Sequence, residues 1–251
     1  MARQNGIIKL KGTIGGITFY KTSDGHLARE KGGVDKARIA NDPAFQRTRE
    51  NGAEFGAAGK GGKLVRSAIR ILLQNAKDKR VVSRLTTDLL KVVKTDAVNE
   101  RGLRTIQDGN LSLFQGFEFN TNGKLGSTLF TPFTNAIDRS SSTATLSIAP
   151  FAPTVRIAAP AGTTHFKVVT GTAELDFVGE TSAFESDETA ILPYDSATTA
   201  AIDLSVPITG ASVNPMAQVL GIEFYQEVNG AMYPLKNGSY NALSVVKVDT
   251  V

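Results

Sequence analysis

Apolar residues recur along this chain with two different periods, and the change between them separates a helical stretch from a strand-rich one. Leu64, Val65, Ala68, Ile69, Leu72 and Leu73 fall every three or four residues, and so do Val82, Leu85, Leu89, Val92 and Val93. That spacing predicts apolar stripes on two helices, one from Ala44 to about Asn75 and one from Lys79 to Ala97. Asn41-Asp42-Pro43 supplies the start of the first, with Asn41 or Asp42 as cap and proline in the first turn. The two are expected to pack as an antiparallel pair joined at Asn75–Asp78. Eight of the eleven residues from Gly52 to Gly62 are Gly or Ala. Glycine is about 1 kcal/mol worse than alanine in a helix. The stretch therefore reads as a bend, or as a smooth face open to close approach, and the crowding of Gly59, Gly61 and Gly62 favours the bend.

From Leu111 onward apolar residues alternate with polar ones. Leu111, Leu113, Phe117 and Phe119 open the pattern. Thr143–Ala149, Thr154–Ala158, His165–Thr170, Ala173–Val178, Ala200–Val206, Gly221–Val228, Met232–Leu235 and Ser244–Val248 continue it as expected strands. Asn229-Gly230 is the strongest hairpin turn signal in the chain. Seven or eight strands over about 110 residues suit an immunoglobulin-like sandwich. Before the helices, residues 6–30 read as a β-hairpin or three-stranded meander, with GIIKLKG and GITFYK as strands and Ser23 to His26 as a turn. A lone hairpin is marginal in water, so this one must dock on something.

Charge and proline change near the same place. Residues 1–107 carry 22 Lys and Arg against 10 Asp and Glu, net +12; residues 108–251 carry 6 against 14, net −8. Only Pro43 precedes residue 132, and eight prolines follow. The expected boundary lies between about residues 122 and 142, with Ser140 to Thr145 as linker: a basic domain over 1–122 and an acidic one over 142–251. The opposite charges point to an electrostatic partner for each half. Arg47, Arg49, Lys60, Lys63, Arg66, Arg70, Lys77, Lys79, Arg80 and Arg84 are candidates to meet phosphates or the acidic half of another copy. Asp176, Glu180, Glu185, Asp187 and Glu188 form the candidate acidic patch. Aromatic residues are sparse among the basic ones, which argues against base stacking on single strands.

The usual catalytic patterns are missing from the sequence. Cysteine is absent, which excludes thiolate metal sites, disulfides and a cysteine nucleophile. His26 and His165 stand in no metal or triad spacing. GAAGKGGKL, from Gly56 to Leu64, departs from the phosphate-loop pattern. Counted back from Lys63, the required glycine falls on Ala57, and Leu64 replaces the hydroxyl that would meet magnesium. No EF-hand spacing occurs, and no cofactor is expected. The tripeptides at Asn110 and Asn237 fit the glycosylation pattern but carry no weight without a secretory signal. No apolar run approaches a membrane span or a signal sequence, so synthesis in the cytoplasm is expected, with release as part of a particle left open.

GTIGGITFYK, LAREKGG and NDPAFQRTRENGAEFG, all within the first 70 residues, resemble small uncharacterised proteins of Bacteroidetes-type bacteria and their phage-like elements. Those proteins also pair a glycine-rich hairpin with an Asn-Pro-type basic helix and a C-terminal β domain. Here Asp42 stands between the Asn and the Pro. The resemblance implies no activity and is compatible with a virion-like or appendage-like role. The expectation is an α+β chain: an N-terminal β-hairpin and basic α-helices followed by a C-terminal immunoglobulin-like β-sandwich. It would be a non-enzymatic subunit that assembles with other copies of itself through Ile7, Ile8, Leu10, Ile17, Phe19 and Tyr20. Nucleic-acid packaging, and a module binding protein or glycan, are the alternatives.

Overall fold

The computed structural model describes residues 2–22, 24–30 and 32–250. The chain divides into two compact units, Met1–Arg49 and Glu50–Val251. The first holds β1 (Ala2–Arg3), β2 (Gly12–Ile14), β3 (Ile17–Thr22) and β4 (Gly25–Glu30), in the antiparallel order β1-β4-β3-β2. Gly15 and Gly16 both have positive φ, +52° and +84°, which the two-residue turn between β2 and β3 requires. Ser23, expected in the next turn, lies outside the described residues. The expected strand through Ile7, Ile8 and Leu10 is instead a loop. Gln4 holds it: its side chain accepts from the Leu10 N–H at 2.8 Å and donates to the Leu27 carbonyl at 3.0 Å. Asp35 caps α1 (Lys36–Asn41), and Asp42, not Asn41, caps the short 3₁₀ turn Pro43–Phe45.

The helix α2 (Gln46–Ala68) follows directly and runs unbroken through the Gly/Ala stretch, so the expected bend is absent. Close approach explains why. A Cβ on Gly61 would stand 2.1 Å from Ile106 Cδ1 and 3.3 Å from the Phe177 ring. Gly61 therefore lets the helix lie against these two side chains. After α2 come α3 (Arg70–Leu73) and α4 (Val81–Lys94). Their buried stripe follows the expected one with a single change: Val81 is inside at 4% exposure and Val82 outside at 50%. Residues 111–119 are not one strand. Asn110 caps a 3₁₀ turn, Leu111–Phe114, which turns Leu113 to solvent. The chain then pairs with the final strand, the Gly116 N–H donating to the Val245 carbonyl at 2.7 Å and the Phe119 N–H to that of Leu243 at 2.8 Å.

The rest is α5 (Leu125–Thr128), β5 (Phe133–Asp138), β6 (Thr143–Ile148), α6 (Pro153–Arg156), β7 (His165–Asp176), β8 (Thr181–Glu188), β9 (Leu192–Pro193), β10 (Ile202–Pro207), β11 (Met216–Val228), β12 (Ala231–Pro234) and β13 (Ala242–Asp249). Thr154–Ala158, expected as a strand, is largely helix α6, started by Pro153. Two expected strands merge into β7, and β5 and β8 were not anticipated. The expected linker at Ser140 is the turn of the β5–β6 hairpin, where Asp138 accepts from the Ser140 amide at 2.9 Å.

Six strands form one antiparallel sheet, β12-β11-β7-β8, with β13 also pairing β11 and β9 pairing β7; the other sheet is β10-β6-β5. β7 and β11 are buried on both faces. Val169, Ala173, Leu175, Ala217 and Val219 share a core with Val65, Leu85 and Leu89 of the helices. Phe166, Val168, Leu220, Ile222 and Phe224 share another with Leu146, Ile148, Ile202 and Leu204 of the second sheet. The second unit thus stacks helices, sheet and sheet, a mixed architecture with more strand than helix. The division expected at 122–142 falls inside it, because helices and sheet bury their apolar surface against each other.

Candidate assembly surfaces

The first unit has one face on which apolar and charged side chains mix, and no interior among the described residues. Cross-strand register places Ile14 opposite Ile17, and Phe19 opposite Ala28, which also faces Ala2. Paired residues share a side of the sheet, so these five line one face, together with Gly12, Lys21, His26 and Glu30. Thr13, Thr18, Arg29, Tyr20 and Leu27 line the other, where the Arg29 guanidinium sits 5.5 Å from the Tyr20 ring. None of the described residues 2–49 is buried. Ile14 is 62% exposed and Ile17 44%, while Ile7 and Ile8 stand almost wholly in solvent and Leu10 is exposed. Of the six expected interface residues, Ile17, Phe19 and Tyr20 lie on β3, with Tyr20 on the opposite face from the other two. Ile7, Ile8 and Leu10 belong to the loop that Gln4 braces.

The basic residues do not form one phosphate-ready strip. Arg49 donates to the carbonyls of Ile39 and Asp42, at 2.7 and 3.0 Å, and so closes the C-terminal end of α1. Arg66 donates to the Gly62 carbonyl of its own helix. Arg84 pairs with Asp78 at 2.6 Å, donates to the carbonyls of Glu118 and Phe119, and lies 5.2 Å from the Phe117 ring. Burial alone would raise the Asp78 carboxyl, but hydrogen bonds from Thr121, Arg80 and Arg84 outweigh it and hold the group below its ordinary value. Lys60 bonds to Glu180 at 2.8 Å, which raises the lysine and lowers the glutamate. A basic candidate and an acidic one are therefore paired within one chain. Arg47, Lys63, Arg70, Lys77, Lys79 and Arg80 are exposed.

Most of the acidic patch lies on β8, the outermost strand of the six-stranded sheet. Asp176 closes the turn into it, accepting from the amides of Val178 and Gly179 at 3.0 and 2.7 Å. Asp187 accepts from the Ser205 amide of β10 at 2.9 Å, and Glu188 pairs with Lys167 at 2.8 Å. Glu185 projects into solvent. The sequence signal for this strand was weak, since only Phe184 carries a large apolar side chain there. Among the described residues no group of three His, Asp or Glu is placed to hold a metal ion. No helix among them is long and apolar enough to cross a membrane.

A buried polar cluster escaped sequence reading altogether. Glu223 of β11 accepts from Asn75 Nδ2 at 2.9 Å and from the Tyr225 hydroxyl at 2.6 Å, with Lys167 Nζ 3.6 Å away. Burial and the neighbouring Glu223 push the Tyr225 phenol up to about 12. Every charge here has a partner, which suits a structural brace between sheet and helices. His165 lies next to it, with Nδ1 3.0 Å from the Thr164 hydroxyl. His26 belongs to β4 in the first unit. No protein-family model, no curated protein and no solved structure matches the chain.

Proposed function

We propose that this chain is a structural subunit that assembles with other copies of itself into a filament, tube, sheath or phage-like particle. The observation that carries the reading is the first unit: a four-stranded sheet with Ile14, Ile17, Phe19 and Ala28 on one face, beside Lys21 and Glu30, and no described residue buried. A small sheet whose apolar side chains stay in water gains little from burial until something covers them. Burying apolar surface is worth roughly 25 cal/mol per Å², so a second chain that covers the face stabilises sheet and complex together. The open edges of β1 and β2 add backbone groups that a neighbouring strand can pair with. Contacts of this head-to-tail kind build rings or open helical polymers. The resemblance of the first 70 residues to proteins of phage-like elements is compatible with such a particle. In this reading the layered sheets of the second unit are an immunoglobulin-like body, supported by two antiparallel sheets sharing one core. Synthesis is in the cytoplasm, and no catalytic step is assigned.

The test is size-exclusion chromatography and electron microscopy of nuclease-treated full-length protein. Regular polymers free of nucleic acid are the expected result. Ile14→Glu with Ile17→Glu is expected to give monomers whose second unit keeps its melting transition. Polymers unchanged by that pair would remove the sheet face from the contact. Retention of nucleic acid in low salt, lost steeply as salt rises, would favour the packaging alternative. Against that alternative stand Arg49, Arg66 and Arg84, whose guanidinium groups already serve backbone carbonyls.

A further inference from the structure

Two strand edges of the second unit face each other without joining. β8 pairs only with β7, and β10 only with β6, among the described residues. They run close together around Asp187, which accepts from the Ser205 amide. Beyond it a cleft opens, with Ala183 and Glu185 on one wall, Pro207 and Ile208 on the other, and Thr172 and Glu174 on the floor. Its volume is about 240 Å³, below the ~300–1,000 Å³ of most small-molecule sites. It has room for one or two side chains of a peptide. Thr172 is only 3% exposed and its hydroxyl has no hydrogen-bond partner, so the floor is polar and unsatisfied.

The part of the β8 edge ahead of Asp187 is free to take a strand, and the charges on it select which. Two β8 strands laid edge to edge would bring Glu185, Asp187 and Glu188 close to their own copies, which like-charge repulsion disfavours. A basic strand meets no such penalty. This chain carries one: the exposed loop through Ile7, Ile8, Lys9, Leu10 and Lys11, whose last four residues alternate apolar and cationic. We propose that the Ile7–Lys11 segment of one copy adds to the β8 edge of a second copy. Lys9 and Lys11 then lie on the cleft side with Glu185 and the unsatisfied Thr172 hydroxyl, and Ile8 and Leu10 lie on the opposite side, that of Phe184. This rests on the reading of the chain as an assembly subunit and names its acceptor.

A charge swap tests it, using full-length protein followed by light scattering over a concentration series. Glu185→Lys alone, and Lys9→Glu with Lys11→Glu, are each expected to raise the concentration for half-assembly about tenfold or more. All three substitutions in one chain, or the two variants mixed, are expected to restore it towards wild type. Circular dichroism checks that each variant is folded; the altered side chains are exposed. If the wild type polymerises and the reversals change nothing, or the combination fails to restore assembly, the proposed contact is overturned while the subunit reading stands. A wild type that stays monomeric overturns both.

Discussion

Individual residues in this chain are set by what approaches them, and glycines of one helix illustrate opposite cases. Gly61 lies under Ile106 and the Phe177 ring, whereas a Cβ on Gly59 would meet nothing within 4 Å. Gly61→Val is expected to lower stability by about 1–3 kcal/mol through overpacking. Gly59→Ala is expected to raise it by up to about 1 kcal/mol through helix propensity. Chemical denaturation of both variants checks the opposite signs. Acid sensitivity is also set residue by residue. The Ser140 and Ser141 hydroxyls hold the Asp138 carboxyl down to about 2, from an ordinary 3.8. Asp78 is held low too, as is Glu174: burial would raise Glu174, but Ser212, Asn214 and Thr209 outweigh it. A carboxyl lowered by folding contributes stability that is complete above its unfolded value and disappears as pH falls through its folded one. The melting temperature is therefore expected to drop as pH falls from about 4 to about 2. Glu118, raised by burial, acts in the opposite sense. Asp138→Asn should flatten part of the drop, as thermal melts at stepped pH would record.

At the scale of elements, the sequence was most readable where one face alone is buried. Apart from Val82, the helical stripes stand where the spacing put them, because the apolar face of α4 meets a core and its other face meets water. Leu85, fully buried, is expected to lose about 2–5 kcal/mol on truncation to alanine. β7 and β11 were legible only in pieces. Both faces are covered, so their apolar residues run on without alternating, and no turn signal marks where one face ends. Residues 111–119 misled for the reverse reason. Leu111 and Leu113 have strand spacing, but the Asn110 cap commits them to a 3₁₀ turn that leaves Leu113 outside. The N-terminal loop was hidden by one side chain, since Gln4 supplies the hydrogen bonds that a ladder partner would otherwise give. β8 was missed because an edge strand with polar residues on both sides has little hydrophobic pattern to read. The Glu223–Lys167–Tyr225 cluster could not be seen in the sequence, as its members meet only through strand register.

For the whole molecule, the charge boundary near residue 107 is not a folding boundary. The helical core and the core between the two sheets are both built on β7 and β11, so neither can be lost while the other keeps its wall. Residues 50–251 are expected to unfold in one calorimetric transition. Leu85→Ala, in the first core, and Leu146→Ala, in the second, should each move that same peak downward; two separable peaks would show independent cores. The first unit, having no interior, is expected to add no transition of its own until another chain covers it.

The double burial of β7 and β11 also bears on how this chain can change over generations. Substitution on those two strands disturbs packing on one flank or the other, so variation is channelled to exposed elements such as β8 in the second unit and the Gln4-braced loop in the first. In the proposed assembly, chains that drift apart there would retain nearly the same thermal behaviour while ceasing to copolymerise, which would make compatibility a property of a few peripheral side chains.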